Sequence, residues 1–483
     1  MSSQPRGGHS FQVTHARVLA IAVPMTLANL TTPLLGVVGT AIIGQLGQAH
    51  LLGAVAISAV VFDCIFWLFG FLRMGTVALT AQALGANDGI EQRAVLFRAL
   101  LLAAIIGSAL ILLQWPLAEA SYRLMGASEN VTEAAKIYFY VRIWSAPFTL
   151  ANYAVLGWLI GVVRTDLALA LQIVINLINI AATWLLVLVL ELGVAGAAFG
   201  TLMAEAIGLA IGLLMAGYVM RGALRLPRAV VLDRAKLVRM LLVNRDIMIR
   251  TAALITAFAF FTAQSARAGE TILAANAVLN NLVLVSAYFL DGFATAAEQL
   301  CGRAVGARQP RAFRAAVRLS IGWGFALALT VGLIFMAAGT LLIALMTTSP
   351  EVRTVAGEFL LFAALAPIFG VFAYAFDGIF IGATWTRDMR NLMLVALALY
   401  LAAWWALQPL GNAGLWIAIL VFLGARGGLQ ALRYPALMRA TFPRTAPLTA
   451  PAADPVALAA HTGQHDGSRA ARSTDPDSTS RAC

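Results

Sequence analysis

Four carboxylates stand inside long apolar stretches of this 483-residue chain. Asp63 lies in AVVFDCIFWLF, Asp291 and Glu298 share a second apolar run, and Asp377 lies in a third. A charged side chain inside a bilayer is costly unless it is paired or hydrated, so each acid is a functional candidate. These four residues are therefore candidates for binding an ion, either a proton or sodium.

Two of these acids occur in the same short pattern. Tyr-x-x-Asp-Gly spans residues 288–292 and again 374–378, and Glu298 lies seven residues after Asp291, on the same helical face. We expect Asp291 and Asp377 to face one another within the second half of the chain. The glycine after each Asp allows either close backbone approach or a helix break. In the alternative interpretation, each Asp caps a broken helix or pairs with a fixed arginine such as Arg250.

Neutral polar residues form two further groups at helical spacing. One stripe holds Asn176, Asn179 and Thr183, and a second cluster holds Asn276, Asn280 and Asn281. They are candidates for lining a substrate cavity, although residues of this kind also hold membrane helices together. Glu205 is a further buried acid, for which pairing between helices is the preferred interpretation.

Composition excludes soluble classes of protein. Hydrophobic residues make up 61% of the chain and charged residues 11%, whereas about a quarter of an ordinary soluble domain is charged. The three cysteines and five histidines form no spaced metal motif, so we expect no cofactor and no enzyme activity. The net charge of +11 lies mostly in short connections, which indicates membrane topology rather than nucleic-acid binding.

The apolar segments predict an all-α integral membrane protein with twelve transmembrane helices. Each segment is long enough to cross the hydrocarbon, which takes about 20 residues. They begin near residues 17, 51, 95, 136, 166, 192, 241, 271, 315, 355, 391 and 413.

Basic residues predict the orientation of the spans. Lysine and arginine concentrate at the N-terminus and in the even-numbered connections, and the alternate connections hold only Arg123, Lys136, Arg267 and Arg353. By the positive-inside rule, both termini and the basic linker 221–240 are cytoplasmic. Residues 1–16 lack the features of a secretory signal. We therefore expect a multi-pass protein of the inner (plasma) membrane.

The two halves of the chain repeat each other. Three short segments recur 221 positions later in similar form: 52–56 at 273–277, 82–86 at 303–307 and 157–161 at 378–382. An even number of spans per copy predicts parallel repeats, an arrangement that transporters use for alternating access. The predicted units are a cytoplasmic segment 1–16, six-helix lobes 17–220 and 241–438, the linker between them, and a disordered tail 439–483.

Long ordered motifs resemble the multidrug and toxic compound extrusion (MATE) family, specifically its DinF subfamily. They include VPMTLANLTTPLLGVVGTAIIGQLG, FLRMGTVALTAQALGAND, LGWLIGVVRTD and FDGIFIGATWTRDMRN. The resemblance implies two lobes arranged in a V and export of organic compounds against an inward proton or sodium gradient. It also implies that the partners are a small-molecule substrate and the bilayer, and we expect a monomer.

The chain departs from the family pattern at two acidic positions. Where the first helix of DinF-type proteins normally carries an acid, this chain has Gly39, and Thr183 replaces a second acid. One interpretation is that Asp63 takes over the lost role; another is that Asp63 pairs with Arg73 or Arg142.

Two other functions remain open beside ion-coupled export. A flippase for a lipid-linked substrate would favour a central cavity lined by arginines, and few arginines occur in the middle of the apolar runs. A facilitated transporter without ion coupling would need none of the four acids. A membrane enzyme is disfavoured because no His/Asp or Ser/Lys dyad occurs at helical spacing.

Overall fold

The computed structural model describes residues 11–126, 128–222 and 225–443, and these residues form helices joined by short turns. The predicted segment 1–16 and tail 439–483 therefore lie largely outside the described residues. The first half contains α1 His15–Gly44, α2 Ala49–Leu68, α3 Phe71–Gly85, α4 Gly89–Leu112, α5 Gln114–Met125, α6 Glu129–Arg142, α7 Ala146–Gly161, α8 Thr165–Trp184 and α9 Gly193–Val219.

The second half follows a short helix in the basic linker. It contains α10 Arg228–Val231, α11 Arg234–Arg267, α12 Glu270–Gly306, α13 Pro310–Met346, α14 Pro350–Gly382, α15 Thr386–Leu407 and α16 Asn412–Thr441. A 3₁₀ turn joins α6 to α7, a π-helical turn extends α8, and a second 3₁₀ turn extends α15.

The described residues contain twelve helical spans that are long and apolar enough to cross a membrane, which confirms the predicted number. The pairs α2–α3, α6–α7 and α10–α11 each act as one span. Several spans begin one to two turns before the predicted residue, because their first turns are polar. Asp88, for example, caps α4 by accepting a hydrogen bond from the Glu91 amide at 2.9 Å.

One amphipathic helix, α5, was not predicted. It lies between two spans, and Glu119 on it accepts hydrogen bonds from Arg123 at 2.8 Å and Lys136 at 3.0 Å. These two cations hold the pKa of Glu119 below its ordinary value. Trp115 on the same helix is exposed, as expected for a residue at a membrane interface.

Close helix contacts repeat with the same 221-residue offset as the sequence. In the first lobe Gly157 of α7 packs on the carbonyl of Arg73 in α3, and in the second Gly378 of α14 packs on the carbonyl of Ala294 in α12. Gly161 and Gly382 form the next such pair. A side chain at Gly157, Gly378 or Gly382 would overlap backbone atoms, and one at Gly161 would overlap the Thr80 side chain, so the repeated glycines set the spacing of equivalent helix pairs.

The larger hydrophobic core continues from one lobe into the other. It includes Leu72 of α3, Leu300 of α12 and Phe380 of α14, all nearly or fully buried. A separate core, which includes Trp416 and Tyr400, lies within the second lobe. The two lobes are thus joined through α3, α12 and α14 rather than through the linker alone.

Candidate functional site

The lobes meet through a reciprocal contact at the end of the bundle where α3 and α12 finish. The Cα of Gly85 faces the carbonyl of Arg303, and the Cα of Gly306 faces the carbonyl of Gln82, and a Cβ on either glycine would overlap backbone atoms. The two contacts are related by the internal repeat, since both residue pairs differ by 221 positions. The glycines singled out in the sequence therefore close one end of the space between the lobes.

Gln82 strengthens this closed end by hydrogen bonding. Its Nε2 donates to the carbonyl of Gly382 at 2.8 Å, and its Oε1 accepts from Arg239 at 2.7 Å. The side chain is buried. Gln82 thus connects the first lobe to α14 and to the start of α11, a role that its position in QALGA did not reveal.

Asp291 bridges the two lobes nearer the middle of the bundle. Its Oδ2 accepts from Asn29 of α1 at 3.0 Å and lies 3.4 Å from Nη2 of Arg73 in α3. The Arg73 and Asp291 side chains are 23% and 29% exposed, so the pair borders the space between the lobes. Gly292, the next residue, packs directly on α1 at Thr26.

Asp377 is held inside the second lobe. Its Oδ2 accepts hydrogen bonds from Arg250 of α11 and, at 2.6 Å, from Arg426 of α16. Its Oδ1 accepts from Gln430 at 2.8 Å. All four side chains are buried, so the interpretation that Asp377 pairs with Arg250 is confirmed.

The structure contradicts one expectation about the repeated Asp-Gly pattern and decides between the two roles considered for its glycine. Asp291 and Asp377 do not face one another, because Asp291 turns to the first lobe while Asp377 turns to α11 and α16. Neither helix is broken at the glycine, since α12 and α14 run continuously through it. Close backbone approach, the other role considered for these glycines, is what the structure shows.

Glu298 is buried two helical turns after Asp291 on α12. Its Oε1 has no hydrogen-bond partner among the described residues, and no ion pair within 4 Å involves it there. Arg73 and Arg250 are the basic groups whose charges act on it. Glu298 thus lies between a cation of the first lobe and a cation of the second.

Asp63 lies on α2 with its side chain exposed in the absence of a membrane. Arg142 is the basic group whose charge acts on it, which favours Arg142 over Arg73 as the expected neighbour, although no ion pair within 4 Å joins Asp63 to a described residue. The Arg142 guanidinium instead lies over the rings of Phe62 and Phe66, 5.6 and 5.7 Å from their centroids.

Polar side chains of the first lobe mostly join helices. Asn152 of α7 donates to Oε2 of Glu205 in α9 at 2.7 Å, as the helix-pairing interpretation of Glu205 requires. Asn176 of α8 donates to Thr31 of α1 at 2.7 Å. Thr183 and Asn179 bond to each other at 3.3 Å along α8.

The asparagines of the second lobe divide between packing and a cavity. Asn276 and Asn412 exchange hydrogen bonds of 2.7 and 3.1 Å, and Trp416 donates to Asn276 at 2.9 Å. Asn280 instead lines a small cavity, together with Phe258, Phe261, Val283, Ala366, Trp416, Ile419 and Leu423. Asn281 is exposed.

Gly39 lies in open surroundings. A Cβ built on Gly39 would meet no atom of the described residues within 4 Å, so the position that lacks the usual acid has room for one. The structure therefore gives no steric reason for glycine at this position.

Two lobes of six spans related by a parallel repeat, with ionisable groups between and inside them, define a secondary transporter fold. The MatE family model matches residues 24–185 and 247–403. DNA damage-inducible protein F of Escherichia coli is 40% identical over 410 residues, which cover 84% of this chain and 89% of that protein. The chain therefore belongs to the MATE family of multidrug efflux transporters, in its DinF group.

More distant relatives agree with this assignment. The probable multidrug resistance protein NorM of Caulobacter vibrioides is 26% identical over 468 residues, covering 90% of this chain and 94% of that protein. A MATE crystal structure in the bent conformation superposes with a TM-score of 0.77 at 20% identity, covering 89% of this chain and 99% of that one. A MOP superfamily transporter from Pyrococcus furiosus gives 0.76 at 21% identity, with 88% and 96% covered. At these identities the solved structures show the fold alone.

Proposed function

We propose that this protein is a secondary active exporter of cationic or amphipathic organic compounds, driven by an inward proton or sodium gradient. The observation that carries the proposal is the ion pair between Asp291 of one lobe and Arg73 of the other. An ion drives transport only if its binding favours one arrangement of the lobes over another. A carboxylate that bridges the lobes meets that requirement directly.

The proposed coupling step is a change in the charge of Asp291. While it is ionised, Asp291 attracts Arg73 and accepts the hydrogen bond from Asn29 across the lobe boundary. A proton or sodium ion on Asp291 weakens both interactions and so favours separation of the lobes at this level. Asp377 is less suited to this step because three partners of its own lobe hold it.

Glu298 and Asp63 are the further coupling candidates. Glu298 lies between Arg73 and Arg250, so its charge acts on both lobes. Asp63 has no ion pair within 4 Å among the described residues and is accessible, which supports a role in taking up an ion in place of the acid that is missing at position 39. Asn280, on its cavity, is the substrate-contact candidate that the geometry favours among Asn176, Asn179, Thr183, Asn276 and Asn280.

We further propose that the closed end faces the cytoplasm. The reciprocal glycine contact lies at the ends of α3 and α12, on the side of the bundle where α1 begins and α16 ends. The density of arginines supports a cytoplasmic location for that side, with the protein in the inner (plasma) membrane. In this orientation, the closed end blocks access to the site from the cytoplasm, and we propose that the protein works as a monomer.

The test compares Asp291→Asn with Asp388→Asn in proteoliposomes. Asp388 is a matched control because it also pairs with an arginine, Arg433, at 2.8 Å, but near the surface. We expect wild type and Asp388→Asn to accumulate a fluorescent cationic dye after a pH or sodium jump, and Asp291→Asn to exchange dye without accumulating it.

Two results would contradict the proposal. Full accumulation by Asp291→Asn would show that this residue does not couple ion and substrate. Dye exchange by wild type that no ion gradient drives would indicate a facilitated transporter. Movement of a labelled lipid-linked sugar without any dye transport would instead indicate the flippase alternative.

A further inference from the structure

Two arginines converge on one carboxylate inside the second lobe. Nη2 of Arg250 and Nη2 of Arg426 both contact the same atom, Oδ2 of Asp377. The side chains of Arg250, Arg426 and Asp377 are 6%, 1% and 6% exposed. One negative charge thus faces two positive charges at a buried point where uncompensated charge is costly.

Several donors of this pair remain unused. Nε of Arg250 and both Nε and Nη1 of Arg426 are buried without a hydrogen-bond partner in the described part of the chain. A guanidinium carries five N–H donors and no acceptor, so these atoms can be satisfied only by an acceptor. A buried donor without a partner costs about 1–3 kcal/mol. Three donors of the two arginines thus lack an acceptor, although Oε1 of Gln430, whose Nε2 donates to Asp377, is itself a buried acceptor without a partner among the described residues. With Asp377 as the carboxylate that both arginines contact, the cluster carries one more positive than negative charge.

The surrounding charges do not supply the missing partner. Arg73 and Asp291 form their own pair at the lobe boundary. Glu298 of α12 acts on Arg250 through space but donates and accepts no hydrogen bond with either arginine of the cluster. From α14, the ring of Tyr374 lies 5.8 Å from the Arg426 guanidinium carbon, a contact with no net charge.

The charged cluster continues the faces that line the cavity of the second lobe. On α16, Trp416, Ile419 and Leu423 line the cavity, and Arg426 follows at the same helical spacing. On α11, Phe258 and Phe261 line it and Arg250 lies two turns before them. One face of the lobe thus passes from aromatic residues to two guanidiniums.

We propose that Arg250 and Arg426 bind a monovalent anionic group, which accepts hydrogen bonds from their unused donors and balances the second positive charge. Planar guanidiniums suit halides and carboxylates, and carboxylates bind them in the bidentate manner. The anionic group belongs either to a free halide or to the carboxylate of an organic acid whose apolar part lies toward the aromatic residues. The site does not depend on the ion coupling proposed above.

The first test measures anion-dependent stability of the full-length protein in nanodiscs. Sodium sulfate, whose divalent anion does not match a site for a monovalent group, is replaced stepwise by sodium bromide at constant ionic strength, and the melting temperature is recorded. Since a ligand that binds the folded state stabilises it, we expect a saturable rise for wild type. Crystals grown in bromide should show an anomalous peak beside Arg250 and Arg426.

Matched variants locate the effect. Arg426→Gln should lose the bromide-dependent rise, whereas Arg433→Gln, on the same helix but paired at the surface with Asp388, should keep it. Asp377→Asn removes the competing carboxylate. The bromide concentration that gives half of the increase in melting temperature should therefore fall at least tenfold. Because Asp377→Asn changes binding in the opposite direction, it remains decisive if Arg426→Gln does not fold.

Competition distinguishes the two sources of the anion. If an organic acid is the ligand, benzoate should remove the bromide peak and its effect on melting at lower concentration than acetate does. If a halide is the ligand, neither acid should compete. A wild-type melting temperature that is independent of bromide, an unchanged bromide effect in Arg426→Gln, or weaker binding by Asp377→Asn would overturn the proposal.

Discussion

Replacing Gly306 with alanine should open the end of the bundle that is closed in this structure. A Cβ at residue 306 would overlap the backbone carbonyl of Gln82 in the other lobe. A flexible side chain could move away from such a contact, but a carbonyl inside α3 can move only with its helix. The variant therefore penalises the closed arrangement and leaves the separated lobes unaffected.

The size of the effect follows from the cost of overpacking. Forcing one extra methyl group into a close contact costs about 1–3 kcal/mol. Since about 1.4 kcal/mol changes an equilibrium tenfold, the closed-to-open ratio should fall roughly 5-fold to 150-fold. The repeat makes a second prediction: Gly85→Ala, which meets the carbonyl of Arg303, should act equally, and the double variant should act about twice as strongly in free energy.

Double electron–electron resonance between spin labels on the two lobes can measure the ratio of closed to open protein in nanodiscs. Spin labels at Ile90 and Arg311, which are exposed on different lobes near the closed end, report their separation once the native cysteines are replaced. Wild type should show mainly the short distance, and Gly306→Ala a larger long-distance population. Gly322→Ala is the control, because a Cβ at Gly322 meets no atom within 4 Å.

Identical distance distributions for wild type, Gly306→Ala and the double variant would refute this reasoning. That result would mean that the lobes absorb the added methyl groups without separating. A shift caused by Gly322→Ala as well would show that helix propensity, rather than the contact between lobes, is responsible.

Three further variants test other parts of the structure. Asn276→Ala should lower the free energy of unfolding by about 1–3 kcal/mol, because it leaves Asn412 and Trp416 with unpaired buried groups, and thermal melts should show the loss. Gly39→Asp should leave the melting temperature close to that of wild type, since the site is open, and should increase the response of dye export to a pH jump. Asp63→Asn should weaken ion-driven export in the same proteoliposome assay; unchanged export would remove Asp63 from the coupling mechanism.

Most of the fold could be predicted from the sequence because the bilayer restricts the choice of structure. Only helices satisfy the backbone inside the hydrocarbon in a chain with this apolar pattern, so twelve apolar segments imply twelve spans. The repeat was equally visible, since Gly157 and Gly378 keep both their spacing and their helix contacts. Glycine is retained at such positions because a larger residue would separate the helices.

Helix starts and surface helices were less predictable. An apolar run marks the part of a helix inside the membrane, whereas the helix itself begins at a polar cap outside it. Ser349, for example, caps α14 by accepting from the Val352 amide, before the long apolar run begins. The helix α5 was missed because it is amphipathic and too short to span the membrane.

The partners of the acids could not be predicted from sequence. Helical spacing shows which residues of one helix share a face, but it does not show which of several arginines on other helices lies opposite. Asp63 illustrates this, because the sequence offered both Arg73 and Arg142, with Arg73 poorly placed on the helix, and the packing of α2 against α6 favours Arg142. The four carboxylates were recognised, but the unused donors of Arg426 were not, because they depend on three helices at once.

The two Tyr-x-x-Asp-Gly segments show how one pattern can have two consequences in a duplicated protein. In both segments the glycine brings a neighbouring helix close, but Gly292 faces α1 of the other lobe and Gly378 faces α12 of its own. Asp291 is thereby placed across the lobe boundary, where its charge affects how far the lobes separate. Asp377 is placed among fixed arginines, where its charge affects what the second lobe can bind. The helix that each glycine contacts, rather than the shared pattern, thus makes Asp291 suited to ion coupling and Asp377 suited to ligand recognition.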